Sequence, residues 1–284
     1  MESECKKWLD TIGDDTREIY DFDYHRLRQC IAITAGYERP SFGISSDNSI
    51  AALANKGYLS LGNIFNRLSR TTLSRISSLC QDAKDCADPR QRLLIADPWT
   101  WDIARACITK DILTLCKNYL KTNMIYLYTP HILVSPPLED AILQNTKAMS
   151  DKAFLFHRDI DNTLWLKLFV CLSEFVGGDH VFIQGSHWTF KRDIESDYLE
   201  RKGFCQYFHS PFKAKTVYET HLHTGRFDES ALEELYGSSI IPLVARAGDA
   251  WLEDTYGIHK GTPPLSGRRI IMSLLIGRLP VRYQ

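Results

Sequence analysis

The sequence predicts a mainly β fold, a jelly roll of short antiparallel strands packed by N-terminal helices. Two observations carry this expectation. Up to about residue 123 apolar residues recur at helical spacing, and from Met124 the period changes to two, in short runs punctuated by Gly, Pro and Asp. With 284 residues, 44% of them apolar, the chain can bury a sizeable core as one domain. A single domain over 1–284 is expected, with a mainly helical flank over 1–123 and a jelly-roll core with inserted helices over 124–284.

In the flank, Trp8, Leu9 and Ile12, then Tyr24, Leu27, Cys30 and Ile31, suggest two helices before a break between Gly36 and Gly43. Ser46-Asp47 offers an N-cap for a helix over Ile50 to Asn55, which Gly57 should end. Lys56 to Leu61 reads as a short strand, and Leu68 to Ile76 as a helix behind a cap at Ser69. Asp97-Pro98-Trp99-Thr100-Trp101 opens another helix, with proline near its first position, and Leu113 to Leu120 keeps helical spacing. In the core the expected strands are Met124 to Tyr128, Leu164 to Leu172, His180 to Ile183, Ile240 to Val244, Ala250 to Asp254 and Arg269 to Ile276. Helices are expected at Asp193 to Lys202 and Asp228 to Tyr236.

The net charge is −1, from 34 basic and 35 acidic residues, so no global field attracts nucleic acid and no basic block marks a tail. Eight cysteines are scattered without Cys-x-x-Cys spacing, several inside apolar runs, as buried free thiols in a reducing compartment would be. The N-terminus is acidic and polar, and no apolar run reaches the ~18 residues that span a bilayer. The expectation is a soluble cytoplasmic protein with no nucleic-acid or membrane partner.

One tripeptide organises the chemistry. In His157-Arg158-Asp159, extended backbone would turn His157 and Asp159 to one face and Arg158 to the other. An imidazole and a carboxylate, joined by one distant His, make the 2-His-1-carboxylate facial triad of non-haem Fe(II) sites, with open positions for other ligands. Downstream, Ala247-Gly248-Asp249 forms a turn, a short strand follows, and His259 supplies the third ligand. Ten residues later Arg268-Arg269 opens the last apolar run, where a guanidinium fork can take a carboxylate bidentately, as a 2-oxoglutarate cosubstrate requires.

These pieces resemble the phytanoyl-CoA dioxygenase-like branch of the Fe(II)/2-oxoglutarate-dependent oxygenases. The resemblance rests on Phe156-His157-Arg158-Asp159-Ile160-Asp161, Leu166-Lys167-Leu168-Phe169, Gly185-Ser186-His187, Ala247-Gly248-Asp249, His259-Lys260-Gly261-Thr262-Pro263-Pro264 and Gly267-Arg268-Arg269, in that order. Together they cover about half the chain, from about residue 124 to 277. The resemblance implies a double-stranded β-helix, or cupin-like jelly roll. It also implies Fe(II) on His157, Asp159 and His259, and consumption of 2-oxoglutarate and O2 with release of succinate and CO2. Asp159 argues for oxygenation, since halogenating members lack this carboxylate.

Arg268 and Arg269 face opposite ways on a strand, so one alone points inward. Arg269, which would share a face with Ser273, is favoured, and one loop residue more or less would favour Arg268. Lys167 interrupts an apolar strand, and it either meets a 2-oxoglutarate or substrate carboxylate or snorkels to water. Thr255, Tyr126, Tyr128 and Arg158 are weaker candidates for the cosubstrate pocket, and the two tyrosines fit core packing better. His187 reads as part of a structural turn, and His221 and His223 as a solvated loop or substrate contact. Trp188, Phe190 and Trp251 either wall a substrate cavity or fill core. The expected activity is hydroxylation, desaturation or cyclisation of a small metabolite, a natural-product intermediate or amino-acid derivative. A peptide or protein hydroxylase, a non-catalytic jelly-roll binding protein and a cupin-type metal enzyme without 2-oxoglutarate are the alternatives.

Overall fold

A computed structural model describes residues 48–85, 92–95, 99–120, 122–139, 154–157, 159, 165–187, 227 and 229–277. The helices expected before residue 36 and over Asp193 to Lys202 lie outside the described residues. Among the described residues ten strands form two antiparallel sheets. The larger has the order β1 (Tyr58–Asn63), β8 (Asp249–Glu253), β5 (Trp165–Cys171), β10 (Arg269–Gly277), β4 (His131–Ser135) and β2 (Arg92–Ile95), and β3 (Tyr126–Leu127) also pairs with β10. The smaller has the order β7 (Ile240–Leu243), β6 (His180–Ile183) and β9 (His259–Gly261). The result is an open two-sheet jelly roll rather than a closed barrel among the described residues.

Strand alternation sorts the large sheet into two faces. One carries Leu166, Leu168 and Val170 on β5, Ala250 and Leu252 on β8, Ile270, Met272, Leu274 and Ile276 on β10, and Ile132 and Val134 on β4, all buried. These join one core with side chains of α1 (Asn48–Lys56), α2 (Arg70–Asp85), α3 (Thr100–Cys107) and α4 (Lys110–Tyr119). Burying each Leu, Ile, Val or Met side chain among these contributes roughly 1.5–3 kcal/mol, so this layer anchors the sheet. The opposite face carries Lys167, Phe169 and Cys171, aligned by register with Glu253 and Trp251 on β8 and with Leu275, Ser273 and Ile271 on β10. Polar and charged groups concentrate on this second face, where the site lies.

The segment before residue 124 is more than a helical flank, because β1 and β2 from it close both edges of the large sheet. The strand expected at Met124 to Tyr128 is shorter: only Tyr126 and Leu127 pair with β10, and β4 resumes along the same neighbour beyond Pro130. Proline has no N–H to donate, so the ladder is interrupted there. Gly57 ends α1 with φ of 90°, its N–H donating to Leu53 O, and an added Cβ would lie 2.6 Å from Phe182. Ser69 caps α2, accepting from the Thr72 N–H at 3.1 Å. The helix expected near Asp228 to Tyr236 is α5 (Glu229–Tyr236). No helix among the described residues is long and apolar enough to cross a membrane. The four described cysteines, Cys80, Cys107, Cys116 and Cys171, are free thiols.

Candidate functional site

His157 and His259 meet as an isolated antiparallel bridge between the chain before β5 and the start of β9. Each N–H donates to the other residue's carbonyl at 2.9 Å, and the two rings lie 4.4 Å apart between centroids. The Asp159 N–H donates to Thr255 O at 2.9 Å, which brings the acid to the same point. His157 and Asp159 are thus each tied by a backbone hydrogen bond of their own, His157 to His259 and Asp159 to Thr255.

The imidazoles are oriented by their own chain. His157 Nδ1 lies 2.7 Å from Leu155 O and His259 Nδ1 lies 2.8 Å from Gly257 O. A carbonyl only accepts, so Nδ1 carries the proton in both rings and each Nε2 keeps a lone pair. The His157 Nε2 lies 3.7 Å from Asp159 Oδ1, and the His259 Nε2 lies 3.8 Å from Asp159 Oδ2. One ligand atom from each of the three residues falls within 4.8 Å of the others, in a largely buried setting. Two imidazole nitrogens and one carboxylate oxygen suit a first-row divalent ion, and the carbonyl bonds to Nδ1 are the outer support such ligands need.

Burial opposes charge on Asp159, but the ammonium of Lys167 in contact with it outweighs this and holds the carboxyl well below the usual carboxylate range. Lys167 Nζ is in direct contact with Asp159 Oδ2. Its anion is therefore Asp159, a partner that the reading of Lys167 as a cosubstrate or substrate contact did not include. Burial lowers the pKa of His259 despite the raising effects of Asp159 and Glu253, which keeps the ring in the neutral form that binds metals.

Arg269 is buried on the site face, paired in register with Ser135. Its Nη1 donates to Gly178 O at 2.6 Å and its Nη2 to Ser135 Oγ at 3.3 Å, while Nε has no hydrogen-bond partner. Burial pulls its pKa down to about 10. Among the described residues no carboxylate ion-pairs with it, so the guanidinium is a buried cation with donor capacity to spare. Arg268 is half-buried on the other side of the strand, and its carbonyl accepts from Ser173 Oγ at 2.8 Å. Thr255 is fully buried, and its Oγ1 is also without a partner. Tyr126 and Tyr128 are half-buried at the opposite end of β10 from Arg269.

His187 has a structural setting: its Nε2 lies 3.0 Å from Ala54 O, beside a turn in which Ser186 Oγ accepts from the Ile258 N–H at 2.7 Å. Trp251 stacks on Phe169 at 5.2 Å. Arg158, Trp188, Phe190, His221 and His223 lie outside the described residues. Sequence reasoning passed over His180 and Glu253. Glu253 is a charge inside an apolar strand two residues after Trp251, the same signal that drew attention to Lys167.

No family profile and no curated protein matches the chain. Solved structures do resemble it. HygX from Streptomyces hygroscopicus with nickel, 2-oxoglutarate and hygromycin B bound is 15% identical, with 81% of this chain and 86% of that chain covered and a TM-score of 0.47. EctD from S. alaskensis with bound Fe is 17% identical, covering 87% of this chain and 82% of that chain at a TM-score of 0.51. The same protein with 2-oxoglutarate and 5-hydroxyectoine is 16% identical, with 87% and 81% covered and again a TM-score of 0.51. At these identities the likeness to EctD is one of fold: this chain is built on the jelly roll of that protein.

Proposed function

We propose that the chain is a non-haem Fe(II)- and 2-oxoglutarate-dependent oxygenase that hydroxylates, desaturates or cyclises a small metabolite, a natural-product intermediate or amino-acid derivative. One observation carries the reading. Two imidazoles with Nε2 left unprotonated and one ionised carboxylate converge within 4.8 Å, on a fold shared with a protein crystallised with Fe and with 2-oxoglutarate. Fe(II) held there would supply the oxidation of substrate by O2, coupled to conversion of 2-oxoglutarate to succinate and CO2.

The roles of the chain's own residues follow from their settings. His157, Asp159 and His259 would hold the ion, their ring orientations set by Leu155 O and Gly257 O. Arg269, a buried guanidinium with an orphaned Nε, would take a cosubstrate carboxylate. The partnerless hydroxyl of Thr255, next to the backbone tie of Asp159, would offer a further hydrogen bond to bound cosubstrate. Lys167 would steady Asp159 rather than grip cosubstrate directly. Burial of His157 and His259 shields the site from bulk water, and at His259 it favours the neutral ring.

The test is succinate formation from 2-oxoglutarate, followed by NMR in air with added Fe(II), beside a chelator-treated sample and His259→Ala. Slow, iron-dependent succinate in the wild type alone supports the proposal. Its stimulation by members of a panel of small metabolites would then identify the substrate class. Succinate that persists in the chelated sample and in His259→Ala would remove the triad from the reaction.

A further inference from the structure

Behind the candidate ligand His259 stands a second buried carboxylate that the reaction outlined above does not use. Glu253 is fully buried at the end of β8, on the site face of the large sheet. It crosses the sandwich to His180 on β6, with Nε2 lying 3.0 Å from Oε1 and 2.9 Å from Oε2. Trp251 Nε1 donates to Oε2 at 3.0 Å. Its Oε1 lies 3.9 Å from His259 Nδ1, whose proton is already given to Gly257 O at 2.8 Å. The His180 ring stacks on that of His259 with centroids 5.4 Å apart, and Phe169 closes the group at 5.4 Å from His180. Lys167, the register partner of Glu253 on β5, turns its ammonium to Asp159 instead.

A fully buried carboxylate is costly unless cations and donors surround it, and two apolar residues would tie the sheets together at less risk. Here the Trp251 Nε1–H and the His180 ring nitrogen face its two oxygens and satisfy it. The carboxylate thus sits in a low-dielectric setting on the far side of the ring whose Nε2 faces the ion site. A negative charge behind the Nδ1–H makes Nε2 a stronger donor and favours a dication beyond it.

We propose that Glu253 is a positioning residue of the metal site, acting through His259, with His180 as its counter-group. This rests on the assignment of His157, Asp159 and His259 as metal ligands. Two isosteric variants test it, with Co(II) as the probe, its absorption spectrum as the readout and thermal unfolding as a control. Glu253→Gln keeps the shape of the side chain and an oxygen that accepts from Trp251 Nε1–H, but removes the charge. Co(II) affinity should fall on the order of 10-fold, within the range seen when outer-shell partners of metal ligands are changed. His180→Gln keeps a donor to Glu253 and leaves its charge in place, so Co(II) should bind as tightly as in the wild type or more tightly. Glu253→Asp, which retains the charge, should recover most of the loss.

A purely structural tie between the sheets predicts instead that both Gln variants lower the unfolding temperature alike and leave Co(II) affinity and spectrum unchanged. That result, or equal weakening by both, would overturn the role of Glu253. Failure of the wild type to bind Co(II) at all would remove the metal site itself, an outcome distinct from the first.

Discussion

His157 and His259 are hydrogen-bonded to each other twice through their backbones, N–H to carbonyl at 2.9 Å in both directions. The pairing of the two candidate ligands therefore does not depend on their side chains. His259→Ala should fold, since the bridge survives truncation of the ring. Metal should then separate the two proteins: excess Co(II) should raise the unfolding temperature of the wild type, because a ligand at 100 times its Kd adds about 2.7 kcal/mol, and should leave His259→Ala unmoved. An equal metal-induced shift in both would place the bound ion elsewhere.

Lys167 and Asp159 form a largely buried ion pair at the same point. Removing one member of such a pair leaves an uncompensated charge, at a cost of about 3–5 kcal/mol when burial is complete and less here. Metal-free Lys167→Met should be clearly less stable than metal-free wild type. Metal should restore more stability to the variant than it adds to the wild type, because the dication then neutralises Asp159. Thermal unfolding with and without Co(II) measures both terms, and an equal metal response would show that Lys167 and the ion do not share the carboxylate.

Much of this arrangement was legible in the sequence. The strands β5, β6, β8 and β10 were readable because alternation and Gly, Pro or Asp boundaries agree, and α2 because Ser69 stands at its cap. β2 was missed: Arg92-Leu93-Leu94-Ile95 is a four-residue apolar run among helical patterns, and periodicity does not separate strand from helix at that length. β4 lies between Pro130 and Pro136, and the prolines masked it. Arg268 and Arg269 could not be separated by alternation alone, because the answer depends on register. The pairing of Arg269 with Ser135 sets its side chain on the same face of the large sheet as Lys167 and Glu253. Glu253 and His180 stayed hidden because they meet across the sandwich, and no spacing along the chain encodes that contact.

Gly57 joins the helical layer to the site. It ends α1 at a φ of 90°, and its carbonyl accepts from the Asp254 N–H at 2.8 Å, just beyond β8. An alanine Cβ there would meet Phe182 at 2.6 Å and His187 at 2.7 Å. Gly57→Ala should lower stability by roughly 1–3 kcal/mol, from left-handed backbone strain together with the clash. A urea midpoint equal to that of the wild type would contradict the contact.

Buried thiols predict the alkaline limit of stability. Burial pushes Cys107, Cys116 and Cys171 up to about 12. The folded state thus keeps protons that the unfolded chain releases near its ordinary thiol value of 9.0, so stability is full below that pH and falls as pH rises through the window between the two. Each thiol contributes a slope of about 1.4 kcal/mol per pH unit there. The urea midpoint should drop between about pH 9 and about pH 11, and more shallowly in Cys116→Ala, where one of the three thiols is gone. A flat profile would mean that the thiols are not protected in the fold.

The proposed oxygenase requires that His157, Asp159 and His259 hold Fe(II) and that 2-oxoglutarate joins it there. Its most direct test is an anaerobic titration of the Fe(II)-loaded protein with 2-oxoglutarate, recording the visible metal-to-ligand charge-transfer band in the wild type, His259→Ala and Arg269→Met. The account predicts a saturable band in the wild type, none in His259→Ala, and in Arg269→Met a band that saturates only at much higher 2-oxoglutarate. Iron bound to the wild type with no band at any 2-oxoglutarate concentration would contradict it.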